Sequence, residues 1–143
     1  MPDIGRANAK NERTAIPLIS IVDDHSLMRE AIEDLVKSLG FSARTFASAE
    51  SFLQSSSIRE TGCLILDVQM AKMSGVDLQD HLSQNGVDIP IIFITAYSDE
   101  ATKERALNAG AICFLRKPLD LGRRLIDCLH AALDRGRGPA PAT

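Results

Sequence analysis

The stretch CLILDVQMAKMSG, residues 63–75, decides how the rest of the chain is read. Cys63, Leu64, Ile65 and Leu66 form an apolar run that ends on a lone carboxylate, Asp67. A charge at the end of a buried strand is costly to desolvate, so groups that compensate it are expected opposite.

Working outward, strand and helix patterns alternate. PLISIV (17–22) reads as a short buried strand that stops at Asp23-Asp24. SLMREAIEDLVKSLG (26–40) sets Leu27, Met28, Ala31, Ile32, Leu35, Val36 and Leu39 at helical spacing, with Ser26 as cap and Gly40 at the C-terminal glycine position. FSARTF (41–46) alternates like a strand, and Ser48 caps a short helix. After the 63–67 strand and a loop to Gly75, a helix covers about 76–84. PIIFITA (90–96) is apolar and β-branched throughout, as in a central strand buried on both faces. A helix over 98–110, a fifth strand over 111–118 and a last helix over 119–135 complete the chain, the last with Leu121, Leu125, Ile126, Leu129 and Leu133 on one stripe. Five strand–helix units predict an α/β fold, a doubly wound five-stranded parallel sheet forming one domain over 17–135. Residues 1–16 read as a flexible tail, and 136–143, rich in Gly, Pro and Ala, as a tail or linker.

Composition narrows the function classes. The 143 residues carry a net charge of −3, no Trp, one Tyr and five Phe, which gives neither a basic footprint for nucleic acid nor stacking platforms for bases. No apolar run approaches the roughly 18 residues that span a bilayer, and the N-terminus lacks the apolar core of a signal peptide. Cys63, Cys113 and Cys128 are odd in number and lack metal-ligand spacing, so they are expected as buried reduced thiols in a cytoplasmic protein.

In an open parallel sheet, functional groups gather at the carboxyl ends of the strands, where strand order reverses. Those ends deliver Asp23 and Asp24, Asp67, Thr95, and Lys117 followed by Pro118. Three crowded carboxylates call for a cation, and all-oxygen ligands suit Mg²⁺ or Mn²⁺. A metal, an ammonium and a hydroxyl together make a pocket for a phosphoryl group, with Asp67 as the carboxylate that accepts it.

IVDDH, LILDVQM with MSG after it, FITAYSD, ALNAGA and FLRKP, in this order from about 18 to 135, resemble the receiver domain of two-component response regulators, a flavodoxin-like (βα)5 fold. FASAESFL and TGCLILDVQM look most like its FixJ-type branch. The resemblance implies that Asp67 is the phosphoacceptor. It implies that Asp24, Asp67 and the Gln69 carbonyl hold the metal, with Asp23 acting through water. Thr95 and Lys117 would contact the phosphoryl group, and the Lys117–Pro118 peptide would be cis. Phe114 takes the aromatic switch position, and Tyr97 borders the site and tunes it. The implied partner is a histidine kinase or phosphotransfer protein. Output, or a homodimer, would use the face of the fourth helix, fifth strand and fifth helix, and a DNA-binding output domain is expected to be missing here, the chain being either a stand-alone receiver or a fragment of a longer regulator. Ala71 and Lys72 depart from the family, which usually has proline after that methionine.

Blander readings exist for each residue. A strand-end Asp can simply cap a helix, and a lone Lys is usually a solvated charge. His25 fits a solvent-facing helix start better than a Mg²⁺ ligand, and His81 and His130 fit surface helix positions. Three rival readings stand beside this one. An aspartyl-nucleophile phosphatase usually has a second carboxylate two positions on, where this chain has Gln69. A phosphorylation-independent interaction module would be expected to lose one of the acidic or lysine residues, and none is lost. A nucleotide-binding fold would need a Gly-rich turn after the first strand, which DDHSLM lacks.

Overall fold

The computed structural model describes residues 16–97, 99–118 and 120–136. Of the tails expected at 1–16 and 136–143, residues 1–15 and 137–143 lie outside the described residues, as do Ser98 and Leu119, where the fourth and fifth helices were expected to begin; Gly136 instead ends the last helix. The elements run β1 (Leu18–Val22), α1 (Ser26–Ser38), β2 (Ser42–Phe46), α2 (Ala49–Leu53), a 3₁₀ turn (Ser56–Glu60), β3 (Thr61–Asp67), α3 (Gly75–Gln84), β4 (Ile91–Thr95), α4 (Glu100–Asn108), β5 (Cys113–Arg116) and α5 (Arg123–Gly136). All five strands are parallel, in the order β2-β1-β3-β4-β5. This is the flavodoxin-like doubly wound sheet, whose order reverses between β1 and β3.

Alternation along the strands divides the core between the two faces. Ile19, Ile21, Cys63, Ile65, Ile92 and Ile94 pack with Ile32 and Val36 of α1 and Leu125, Leu129 and Ala132 of α5. Val22, Leu64, Leu66, Ile91 and Phe93 pack on the other face with Phe52, Val76, Leu78, Leu82 and Ala106. With both faces covered, β3 and β4 can be apolar at successive positions. Polar Ser20 and Thr61 are buried but satisfied. The Thr61 hydroxyl donates to the Ser57 carbonyl at 2.6 Å, so the Ser20 hydroxyl donates to Thr61, also at 2.6 Å.

Several expectations are corrected. His25, not Ser26, stands at the N-cap of α1 and makes no side-chain cap; its own N–H donates to the Asp23 carboxylate at 2.9 Å. Leu27 is 72% exposed and Ala31 is exposed as well. The buried stripe runs through Met28, Ile32, Leu35, Val36 and Leu39, and residues 27 and 31 fall on its flank. The α5 helix begins at Arg123, so Leu121 sits in the turn before it, although it still packs against the core. The 3₁₀ turn and the first two residues of β3 were not anticipated.

The cysteine expectation fails for two of three residues. Cys113 on β5 and Cys128 on α5 are joined by a disulfide, although they stand 15 positions apart with no pattern linking them. The strand-to-helix crossover folds α5 back over the sheet and brings their Cα atoms to 6.3 Å. Cys63 is free and buried in β3, and desolvation pushes its thiol up to about 12.

Candidate functional site

Strand register lines up the carboxyl ends. Val22 pairs with Leu66 and Asp67 with Ile94, so the turn after β1 and the ends of β3 and β4 open at one edge. One carboxylate oxygen from each of Asp23, Asp24 and Asp67 falls within 4.8 Å of the others. Asp23 is fully buried, Asp67 is 3% exposed, and Asp24 faces solvent. Lys117 follows β5 and reaches across the edge, its Nζ 3.0 Å from Asp23 Oδ2 and 3.3 Å from Asp67 Oδ2. The Lys117–Pro118 peptide is cis.

The turn after β3 is built around Asp67. Its Oδ1 accepts the Gln69 N–H at 3.2 Å, while the Gln69 side chain is exposed. The chain then passes Lys72, whose φ of 65° is left-handed, and returns to Ser74, which caps α3 in a reciprocal pair with Asp77. The start of α3 lies directly over the Asp67 backbone, and the Gly75 N–H donates to Val68 O at 2.9 Å. A Cβ on Gly75 would fall 2.3 Å from Asp67 O, so only glycine fits. The sequence contained this signal in the MSG triplet, but its reason is the close approach.

Electrostatics raise Asp67. Burial, then the neighbouring Asp23 charge, push its carboxyl up to about 7, against the lowering pull of Lys117 and of the Gln69 N–H. At this edge, one buried side-chain oxygen, Asp23 Oδ2, lacks a hydrogen bond. Lys117 makes an ion pair with Asp23 Oδ2 without hydrogen-bond geometry, which leaves this buried oxygen unpartnered. A buried, ion-paired acceptor without a hydrogen bond, set among three carboxylates, fits a hard cation or its water.

The other expected site residues are near but turned elsewhere. Thr95 is buried at the end of β4, and its hydroxyl donates to Tyr97 O at 2.7 Å and accepts the Tyr97 N–H at 3.1 Å. The Tyr97 side chain is 69% exposed. Phe114 is half-buried on β5, its ring centroid 6.1 Å from that of Phe93. His25, His81 and His130 are exposed. Sequence reasoning passed over Arg29, whose guanidinium donates to the Asp23 carbonyl at 2.6 Å.

The response regulator receiver domain family matches residues 19–129. The chain belongs to that family. It is 42% identical over 116 residues to the response regulator protein TodT of Pseudomonas putida, covering 81% of this chain and 51% of TodT. It thus spans about half the length of the curated relatives it matches. The solved structure of the response regulator StyR superimposes with a TM-score of 0.79 at 40% identity, over 86% of this receiver and 62% of StyR. FixJ-N gives a TM-score of 0.74 at 29% identity, over 88% of this receiver and 98% of FixJ-N. Receivers are signalling domains of two-component systems rather than conventional enzymes. No helix among the described residues of this one is long and apolar enough to cross a membrane.

Proposed function

We propose that this receiver is a phosphorylation-dependent switch that accepts a phosphoryl group on Asp67 from a histidine kinase or phosphotransfer protein. The observation that carries the reading is a buried carboxylate at the β3 end, faced by an ammonium and two further carboxylates. A carboxylate oxygen of Asp67 attacks phosphorus, the phosphorus–nitrogen bond of the donor imidazole breaks, and the nitrogen keeps the bonding pair. The product is an acyl phosphate, and the only turnover of the domain is its own phosphorylation and slow hydrolysis.

Asp23, Asp24, Asp67 and the Gln69 carbonyl would hold Mg²⁺ or Mn²⁺, and the unpartnered Asp23 Oδ2 supports that assignment. When bound, such an ion neutralises charge on the transferring phosphoryl group. Lys117 pairs with a phosphoryl oxygen, a role its position between Asp23 and Asp67 suits. Thr95 exchanges its local bond to Tyr97 for one to the phosphoryl group, and Phe114 follows by repacking beside Phe93. Tyr97, at the mouth, tunes the response.

Output passes through the α4–β5–α5 face, to an output domain that binds DNA or to a second receiver. Residues 17–135 form the switching unit, and the domain works in the cytoplasm without itself binding nucleic acid or membrane. Intact mass after incubation with acetyl phosphate, with and without Mg²⁺, tests the reading. One Mg²⁺-dependent phosphoryl adduct that vanishes in Asp67→Asn is expected. An equal adduct in Asp67→Asn, or none in the folded wild type, overturns it.

A further inference from the structure

The turn between β1 and α1 carries two of the three clustered carboxylates, yet they are held very differently. Asp23 is hydrogen-bonded at three of its polar groups and ion-paired at the fourth. Its N–H donates to Phe46 O at 3.1 Å, its Oδ1 accepts the His25 N–H at 2.9 Å, its Oδ2 pairs with Lys117 at 3.0 Å, and its carbonyl accepts from Arg29 Nη1 at 2.6 Å. Asp24 is exposed, and among the described residues its carboxylate makes no hydrogen bond or ion pair. Among the described residues, no side-chain contact sets its direction, and the peptide that joins it to Asp23 carries the carbonyl that Arg29 holds.

We propose that Arg29 is a positioning residue of the carboxylate site, which aims Asp24 at the cluster by clamping the Asp23 carbonyl. The inference rests on the metal reading above. Arg29 lies in the first turns of α1, and its half-buried side chain reaches back along the helix to the turn. The bond is charge-assisted and joins a cationic donor to a carbonyl beyond the last β1 residue, where the sheet ladder no longer supplies a partner. The guanidinium binds backbone, so it takes up no carboxylate oxygen that a cation would need.

The sign of the effect separates this role from plain electrostatics. A positive charge beside the cluster repels a divalent cation, so on charge alone Arg29→Ala should tighten metal binding. A lost clamp instead weakens it, because the Asp24 carboxylate is no longer held toward the other ligands; outer partners of this kind are typically worth tenfold or more in affinity.

The test is Mn²⁺ binding to the full chain, read from the resonance signal of free Mn²⁺, with urea unfolding in chelator as a control of folding. Arg29→Ala is expected to raise the dissociation constant about tenfold. Arg29→Lys recovers part of the loss by keeping a cationic donor. In an Asp24→Asn background, Arg29→Ala adds nothing, because the residue being aimed no longer carries a charge. Unchanged or tighter binding in Arg29→Ala overturns the proposal, as does an undiminished loss in the Asp24→Asn background. Arg29→Gln serves the same comparison if Arg29→Ala does not fold. Wild-type protein that binds no Mn²⁺ defeats the metal reading itself, whereas binding that Arg29 variants leave unchanged defeats only the proposal.

Discussion

Asp67→Asn makes the metal-free domain more stable at neutral pH, and the gain depends on pH. In the folded chain the Asp67 carboxyl is pushed up to about 7 from 3.8, by burial first and by Asp23 second. A raised acid pKa means that the folded state binds the extra proton. Its stabilising effect is complete below about pH 4 and is lost progressively until about pH 7. Roughly three pKa units correspond to a ceiling of about 4 kcal/mol above pH 7. The site opens to water past exposed Asp24 and Gln69, so about 2 kcal/mol is expected after screening. Asparagine carries no charge to desolvate and still presents an oxygen to the Gln69 N–H. Urea unfolding in chelator at pH 5 and pH 8 measures the difference between variant and wild type, in which the other titrating groups largely cancel. With a slope of about 2 kcal/mol per molar, the variant midpoint should lie about 1 M higher at pH 8, and less than half that at pH 5. Added Mg²⁺ should narrow the gap by stabilising the wild type alone. A variant that is no more stable at pH 8, or a gap equal at both pH values, would refute the reasoning.

Three further outcomes follow from the loops and the crossover. Gly75→Ala forces a methyl to within 2.3 Å of Asp67 O, so a loss of about 2–3 kcal/mol in urea unfolding is expected, together with slower phosphorylation as the end of β3 shifts. Lys72→Gly relieves a left-handed backbone at φ 65° and should stabilise by about 0.5–1 kcal/mol; a destabilised variant would mean that the lysine side chain contributes more than the strain costs. Reduction of Cys113–Cys128, which closes a 15-residue separation, should cost about 2–3 kcal/mol. Alkylation under denaturing conditions should then label one thiol before reduction and three after, and three labelled at the outset would contradict the bridge.

The alternation of apolar runs with amphipathic stretches was enough to specify five strand–helix units, because a parallel sheet covered on both faces leaves a periodic record of what must be buried. The strand-end positions of Asp23, Asp24, Asp67, Thr95 and Lys117 were legible for a related reason: the carboxyl edge of such a sheet collects whatever follows each apolar run. Tertiary structure decided what spacing cannot encode. Lys117 bridging Asp23 and Asp67, the Arg29 clamp on a backbone carbonyl, and the Thr95 hydroxyl turned to Tyr97 all depend on side-chain directions fixed by packing. Cys113 and Cys128 meet only because α5 folds back over β5, and Gly75 is required only because α3 starts against the end of β3. Local sequence records which faces must be buried, whereas contacts across the fold exist only once the layers have closed on one another.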